Sequence, residues 1–228
     1  MSSIVLLSSG LDSAVAFKLA LDQWGVDLAL TFDYGQRAAE KEIGQALQIC
    51  ERFKVRHEVI ELPWLEDVTR TALVDRAEAV PTPTEKELDE IKGKALETAH
   101  AVWVPNRNGT FINAAGSFAD AFNIERIVCG FNAEEGATFP DNTPEFVEAI
   151  NKSLYYSTEN HARVYAPVID LDKIGIIKKG ASIDAPLDLS WSCYFSGEKP
   201  CGKCESCMRR ARAFKRAGIP DPSLGAKK

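Results

Sequence analysis

The sequence has little that would place it in a membrane or outside a cell. No apolar run approaches the roughly 18 residues that a membrane span needs. The opening Met1-Ser2-Ser3-Ile4-Val5-Leu6-Leu7 has no basic start, and its apolar stretch is too short for a signal peptide. A cytoplasmic location is expected. Cysteine is nearly absent from the first 190 residues, where only Cys50 and Cys129 occur, both in apolar contexts. That excludes a disulfide scaffold. Histidine is scarce too: His57, His100 and His161 are the only three, and none has a partner pattern that suggests catalysis. No Gly-Lys-Ser/Thr ending marks a Walker phosphate loop. Positive charge is in deficit, with a formal net charge of −6. Nonspecific nucleic-acid binding is therefore not the default expectation.

What is present is a chain of 228 residues, 45% hydrophobic and 26% charged, enough for one sizeable core. Its first part alternates strand and helix signals. Ile4–Leu7, Leu28–Phe32 and Val55–Leu62 read as strands. Ala14–Trp24 and Ala38–Phe53 read as helices, the second with Ile43, Leu47 and Cys50 on one face. This βαβαβ rhythm predicts an α/β fold, an open parallel sheet with helices on both faces. Residues 63–105 interrupt it. Pro63, Pro81, Pro83 and Pro105 punctuate a charged insertion with one helical piece at 85–95. A mobile lid and a plain surface loop are both open there. Helices at 111–122 and 142–156, strands at 126–130 and 164–168, and a short helix at 172–179 stopped by Gly180 follow. A basic helix at 205–217 closes the pattern. Residues 1–190 are expected to form one domain, with 191–228 a C-terminal segment packed on it.

Three places carry chemistry. Ser8-Ser9-Gly10-Leu11-Asp12-Ser13 lies between a buried strand and a helix. Unpaired N–H groups and the positive end of the helix dipole make that junction an anion site. The alternative is a simple turn with a helix cap. Second, polar loops recur where an open parallel sheet places ligands: Phe32-Asp33-Tyr34-Gly35-Gln36-Arg37, Val104-Pro105-Asn106-Arg107-Asn108 and Phe139-Pro140-Asp141-Asn142. Arg37 offers reach to a phosphate. Arg107 offers two parallel hydrogen bonds to a carboxylate or phosphate, and Asp141 an acceptor for a guanidine-like edge. Third, Cys193, Cys201, Cys204 and Cys207 supply four soft ligands within fifteen residues. The spacing favours a closed zinc tetrahedron, one zinc per chain in a structural role. An iron–sulfur cluster is the rival. Around this cluster, residues 199–228 hold nine Lys/Arg against two Asp/Glu, a net of +7.

Together these segments, in this order, resemble the 7-cyano-7-deazaguanine synthase family, within the pyrophosphate-loop (N-type) ATP pyrophosphatases. The resemblance runs from 8–13 through 32–36, 104–108 and 139–141 to 192–207. It implies an adenine nucleotide alpha hydrolase-like fold. It also implies an ATP-dependent ligase that joins ammonia to 7-carboxy-7-deazaguanine and dehydrates the product to a nitrile, in queuosine precursor synthesis. ATP is then a co-substrate, zinc structural and magnesium expected. Leu7, Ser8, Ser9, Gly10, Leu11, Asp12, Ser13, Phe32 and Gln36 would bind ATP. Arg107, Asn108 and Asp141 would bind the deazapurine, and Lys173, Arg107 and Asp12 would serve catalysis. Membrane and nucleic-acid partners are not expected; a homodimer is. Four positions depart from the family pattern: Ser9 stands for Gly, Phe139 for Tyr, Asn142 for Cys and Gly175 for Glu. Two rivals stay open: an RNA-modifying relative supported by the basic tail, and a non-catalytic nucleotide-binding zinc module.

Overall fold

Five strands lie side by side: β1 (Ile4–Leu6), β2 (Leu28–Asp33), β3 (Arg56–Glu61), β4 (Arg126–Val128) and β5 (Arg163–Tyr165). Their order is 3-2-1-4-5, and every pair is parallel. The computed structural model describes residues 2–84, 87–89 and 99–224. Strand order reverses between β1 and β4, whose register pairs Val5 with Val128. An open α/β sheet places its ligand crevice beyond the carboxyl ends of the strands at such a reversal.

Helices surround the sheet: α1 (Leu11–Trp24), α2 (Ala39–Phe53), α3 (Pro63–Val68), α4 (Arg107–Ala121), α5 (Ala133–Gly136), α6 (Pro144–Ser157), α7 (Lys173–Ser182) and α8 (Glu205–Ala217). Alternation along each strand divides them between the two faces. Val5, Ala29 and Val128 pack with Phe17 of α1, Ile49 of α2, Ile177 of α7 and Phe214 of α8. Ile4, Leu28 and Ile127 pack with Ile112 and Ala115 of α4 and Leu154 of α6. Helices cover both faces, as expected. Each fully buried Leu, Ile or Phe here contributes about 1.5–3 kcal/mol.

Three local expectations need correction. On α2 the buried stripe is Ala46, Ile49 and Cys50, while Leu47 is 44% exposed. Apolar spacing suggested the Leu47 face, but the helix seats Ala46, one position away, against the sheet. Gly180 does not stop α7, which runs on to Ser182. A Cβ at Gly180 would lie 2.8 Å from Val15 Cγ2, so this glycine lets α7 approach α1. In the insertion, Glu87–Asp89 forms a single 3-10 turn. The rest of the expected 85–95 helix lies outside the described residues.

Candidate active site

The β1–α1 loop runs straight into a helix N-terminus. Helix α1 begins at Leu11, three residues earlier than expected, and its first helical bond runs from Ala14 N to Gly10 O. Asp12 and Ser13 therefore sit in the first turn, where N–H groups are free for a ligand. Ser9 is buried with φ 57°, in the left-handed region that favours glycine. Its carbonyl accepts from Trp191 N at 2.9 Å, which ties the loop to the C-terminal segment. The hydroxyls of Ser8 and Ser13 meet at 3.2 Å. Gly130, just beyond β4, lies against the same turn. A Cβ there would stand 2.7 Å from Ser13 N. Three buried polar atoms on these two loops have no hydrogen-bond partner among the described residues: Ser9 Oγ, Asp12 Oδ1 and Asn132 Nδ2. Buried polar atoms are normally satisfied, so such a group marks a place for a ligand or ion.

Lys173 opens α7 and reaches across to this loop. Its Nζ donates to Asp12 Oδ2 at 2.5 Å and to Glu135 Oε1 at 2.6 Å. Burial raises the Asp12 carboxyl to about 6 even with Lys173 beside it. Glu135 behaves oppositely: burial raises it, but Lys173 outweighs that and holds it below its usual value. For Lys173, burial is outweighed by its two carboxylates, which keep the ammonium charged. Lys178, farther along α7, is exposed. Glu135 carried no sequence signal beyond two acidic residues in the first turn of α5. Its helix is fixed by Asn132, whose side-chain oxygen accepts from Glu135 N at 3.0 Å.

Two lobes of one cleft meet at Lys173, Glu135 and Arg107. The first, about 260 Å³, is lined by the β1–α1 loop with Phe32, Tyr34, Asn108 and Phe111. Phe32 stacks on Phe111 with ring centroids 4.1 Å apart. The second, about 180 Å³, is lined by Trp103, Phe139, Asp141 and Arg209. Trp103 and Phe139 face each other at 12° between planes. Arg107 donates to Tyr34 Oη at 3.3 Å. Burial works against the Arg107 charge, but Tyr34, Asp141 and Glu135 more than offset it. Asn108 is held by a bond from Nδ2 to Asp141 O at 3.2 Å. Burial raises the Asp141 carboxyl against the pull of Arg107.

Two residues of the Phe-Asp-Tyr-Gly-Gln-Arg segment turn out to be architectural. The Gln36 amide accepts from Tyr34 N and donates to Phe32 O and Glu42 Oε2, which locks the turn. Arg37 lines neither lobe of the cleft. It donates to the carbonyls of Ala72, Asp75 and Glu78 and so anchors the insertion, which a short-range reading of the loop did not show.

The four C-terminal cysteines converge. One sulfur from each of Cys193, Cys201, Cys204 and Cys207 lies within 4.8 Å of the others. Zinc–sulfur bonds of about 2.3 Å imply tetrahedral edges of about 3.8 Å, and Cys201 and Cys207 stand 4.0 Å apart. Backbone N–H groups of Cys201 and Cys204 already donate to Cys193 Sγ and Cys201 Sγ, each at 3.3 Å. Such bonds favour thiolates. Gly202, at φ 73°, makes the tight turn between them. The donor set fits a four-coordinate soft metal.

The queuosine biosynthesis protein QueC family model matches residues 2–218. The chain belongs to the QueC family. The 7-cyano-7-deazaguanine synthase of Methanosarcina mazei is 48% identical over 226 residues, covering 98% of each chain. That of Pelotomaculum thermopropionicum is 52% identical over 219 residues, covering 96% of this chain and 99% of its own.

In this QueC-family chain part of the basic tail is folded inward, while Lys199, Lys203, Lys215 and Arg216 are exposed. Arg210 pairs with Asp221 through two bonds of 2.6 and 2.8 Å and also reaches Ser190 Oγ. Arg209 bridges Glu205 and Glu134, each at 2.9 Å. Arg212 approaches Glu134 at 3.7 Å. Arg209, Arg210 and Arg212 thus form internal ion pairs rather than a solvated helix face. Residues flanking the cysteines also enter the cleft: Ser192, Tyr194 and Ser206 line both lobes.

Proposed function

We propose that the chain is an ATP-dependent ligase, a 7-cyano-7-deazaguanine synthase that makes the nitrile from 7-carboxy-7-deazaguanine and ammonia. One observation carries this reading beyond family membership. The anion-binding turn at Ser8–Ser13 and the lobe at Trp103, Phe139 and Asp141 open onto each other at Lys173 and Arg107. Adenylation needs that juxtaposition, because the α-phosphate and the carboxylate must meet. A carboxylate resists nucleophiles through resonance and negative charge. Transfer of AMP gives it a leaving group, ammonia forms the amide, and a second activation of the amide oxygen allows dehydration.

In this reading Ser8, Gly10 and Ser13 hold the phosphates. Leu7, Leu11 and Phe32 shape the nucleotide lobe, and Gln36 supports it from behind. Lys173 faces the charge that develops as pyrophosphate departs. Arg107 holds the carboxylate, while Asn108 and Asp141 address the deazapurine. Phe139 supplies a ring face without a hydroxyl. The unpartnered Asp12 Oδ1 fits magnesium, which Asp12 would hold and which, when bound, neutralises phosphate charge. The four thiolates fit structural zinc, one per chain.

The RNA-modifying alternative is not favoured: Arg209, Arg210 and Arg212 are engaged internally, which leaves Lys215 and Arg216 as the exposed basic groups of that helix. A homodimer and a cytoplasmic location belong to the same proposal. Exposed Trp64, Val68 and Phe122 support the former. No helix among the described residues is long and apolar enough to cross a membrane. The deciding experiment is mass spectrometry of the product formed from 7-carboxy-7-deazaguanine, ATP and ammonia. A nitrile with AMP release supports the reading, and no ATP-dependent product sinks it. Metal analysis checks zinc: iron with a visible chromophore would replace it. Sedimentation checks the dimer.

A further inference from the structure

The cysteine cluster is not remote from the chemistry. Tyr194 follows Cys193 directly, and its ring lines both lobes of the cleft beside Arg107, Glu135 and Lys173. Among the described residues its hydroxyl takes no hydrogen-bond partner, unlike that of Tyr34, which receives Arg107. A phenol is a hydrogen-bond donor at neutral pH. It stands where the nucleotide lobe and the base lobe join, so it borders the space where an acyl-adenylate would form.

We propose that Tyr194 is a catalytic residue that donates a hydrogen bond to the acyl oxygen while ammonia adds to the adenylated carboxylate. This rests on the functional reading above. As the carbon–nitrogen bond forms, the carbonyl π pair moves onto oxygen, and the Tyr194 hydroxyl stabilises that negative charge without giving up its proton. The pair then returns, the carbon–oxygen bond to AMP breaks, and AMP leaves with its bonding electrons. The extra proton on nitrogen passes to water. The second half-reaction differs. Once the amide oxygen carries AMP, both nitrogen protons pass to water, AMP departs with the carbon–oxygen bonding pair, the nitrile forms, and no carbonyl oxygen gains charge. The metal-binding segment thus delivers a donor needed in one half-reaction only.

The test is Tyr194→Phe, which keeps the ring and removes the donor, assayed in two halves. One starts from the acid with ATP and ammonia and measures amide plus nitrile. The other starts from the supplied amide with ATP and measures nitrile. The expected result is a fall of roughly 100-fold in the first half, the cost of one such donor, with the second half, the KM for ATP and the zinc content unchanged. Tyr194→His, which retains a ring N–H donor, is expected to restore part of the first half. Equal losses in both halves, no loss in either, or a His variant no better than Phe would overturn the role. Wild-type protein that forms neither amide nor nitrile would instead overturn the functional reading, and this role with it.

Discussion

Gly130→Ala tests the loop geometry most directly. The added Cβ would stand 2.7 Å from Ser13 N and 2.9 Å from both Asp12 C and Ser13 Cα. All three are backbone atoms at the start of α1, so no side chain can swing away. Restoring ordinary carbon contact requires the turn to move by roughly 0.5 Å or more. Overpacking of this kind costs about 1–3 kcal/mol. At roughly 2–4 °C per kcal/mol for a chain of this size, the melting temperature should fall by about 2–12 °C. The larger effect is on turnover, because the displaced turn carries Asp12 and Ser13. A misplacement near 1 Å costs about 100-fold in rate. We expect kcat for AMP release to drop at least tenfold, with a folded protein and full zinc content. Gly44→Ala is the control: nothing lies within 4 Å of a Cβ there, inside α2. It should stabilise by about 0.5–1 kcal/mol and leave turnover alone. A Gly130→Ala protein with wild-type melting and turnover would show that β4 does not seat the phosphate turn.

Other expectations follow from single contacts. Ser9→Gly should raise stability by about 1 kcal/mol, since it relieves a left-handed serine and removes a buried unpartnered hydroxyl; chemical denaturation reads this, and a loss of stability refutes it. For Asp12, the folded protein keeps a proton between about 3.8 and 6 that the unfolded chain has released. Stability should therefore fall as pH rises through that window, and Asp12→Asn should make the fall in melting temperature against pH shallower. Asp221→Ala strands the buried Arg210 guanidinium and should cost about 3 kcal/mol in urea unfolding, whereas an exposed pair would cost under 1. A midpoint shift of the smaller size would assign the C-terminal turn no anchoring role.

The division between what was legible and what was not follows interaction range. Apolar runs at Ile4 and Leu28 and the 205–217 helix were readable because strand and helix periods are local. The cysteine tetrad was readable because its ligands are close in sequence. Glu135 was not, since its meaning comes from Lys173, 38 residues away. Arg37 was misread because its acceptors lie 35 residues and more along the chain. Leu47 was misread because apolar spacing alone does not say which of two adjacent helix faces meets the sheet.

The sequence by itself determined the order of the strands and the longer helices, the turn chemistry at Ser8–Ser13, the soft-metal donor set and the family. These depend on residue types at short fixed spacing. Tertiary structure alone decided which groups share a space. It brought Lys173 between Asp12 and Glu135, set Gly130 against Ser13, and turned Arg209 and Arg210 into internal ion pairs. Parallel strands need long crossovers, so residues far apart in the chain meet at one sheet edge. Local pattern carries no record of which ones.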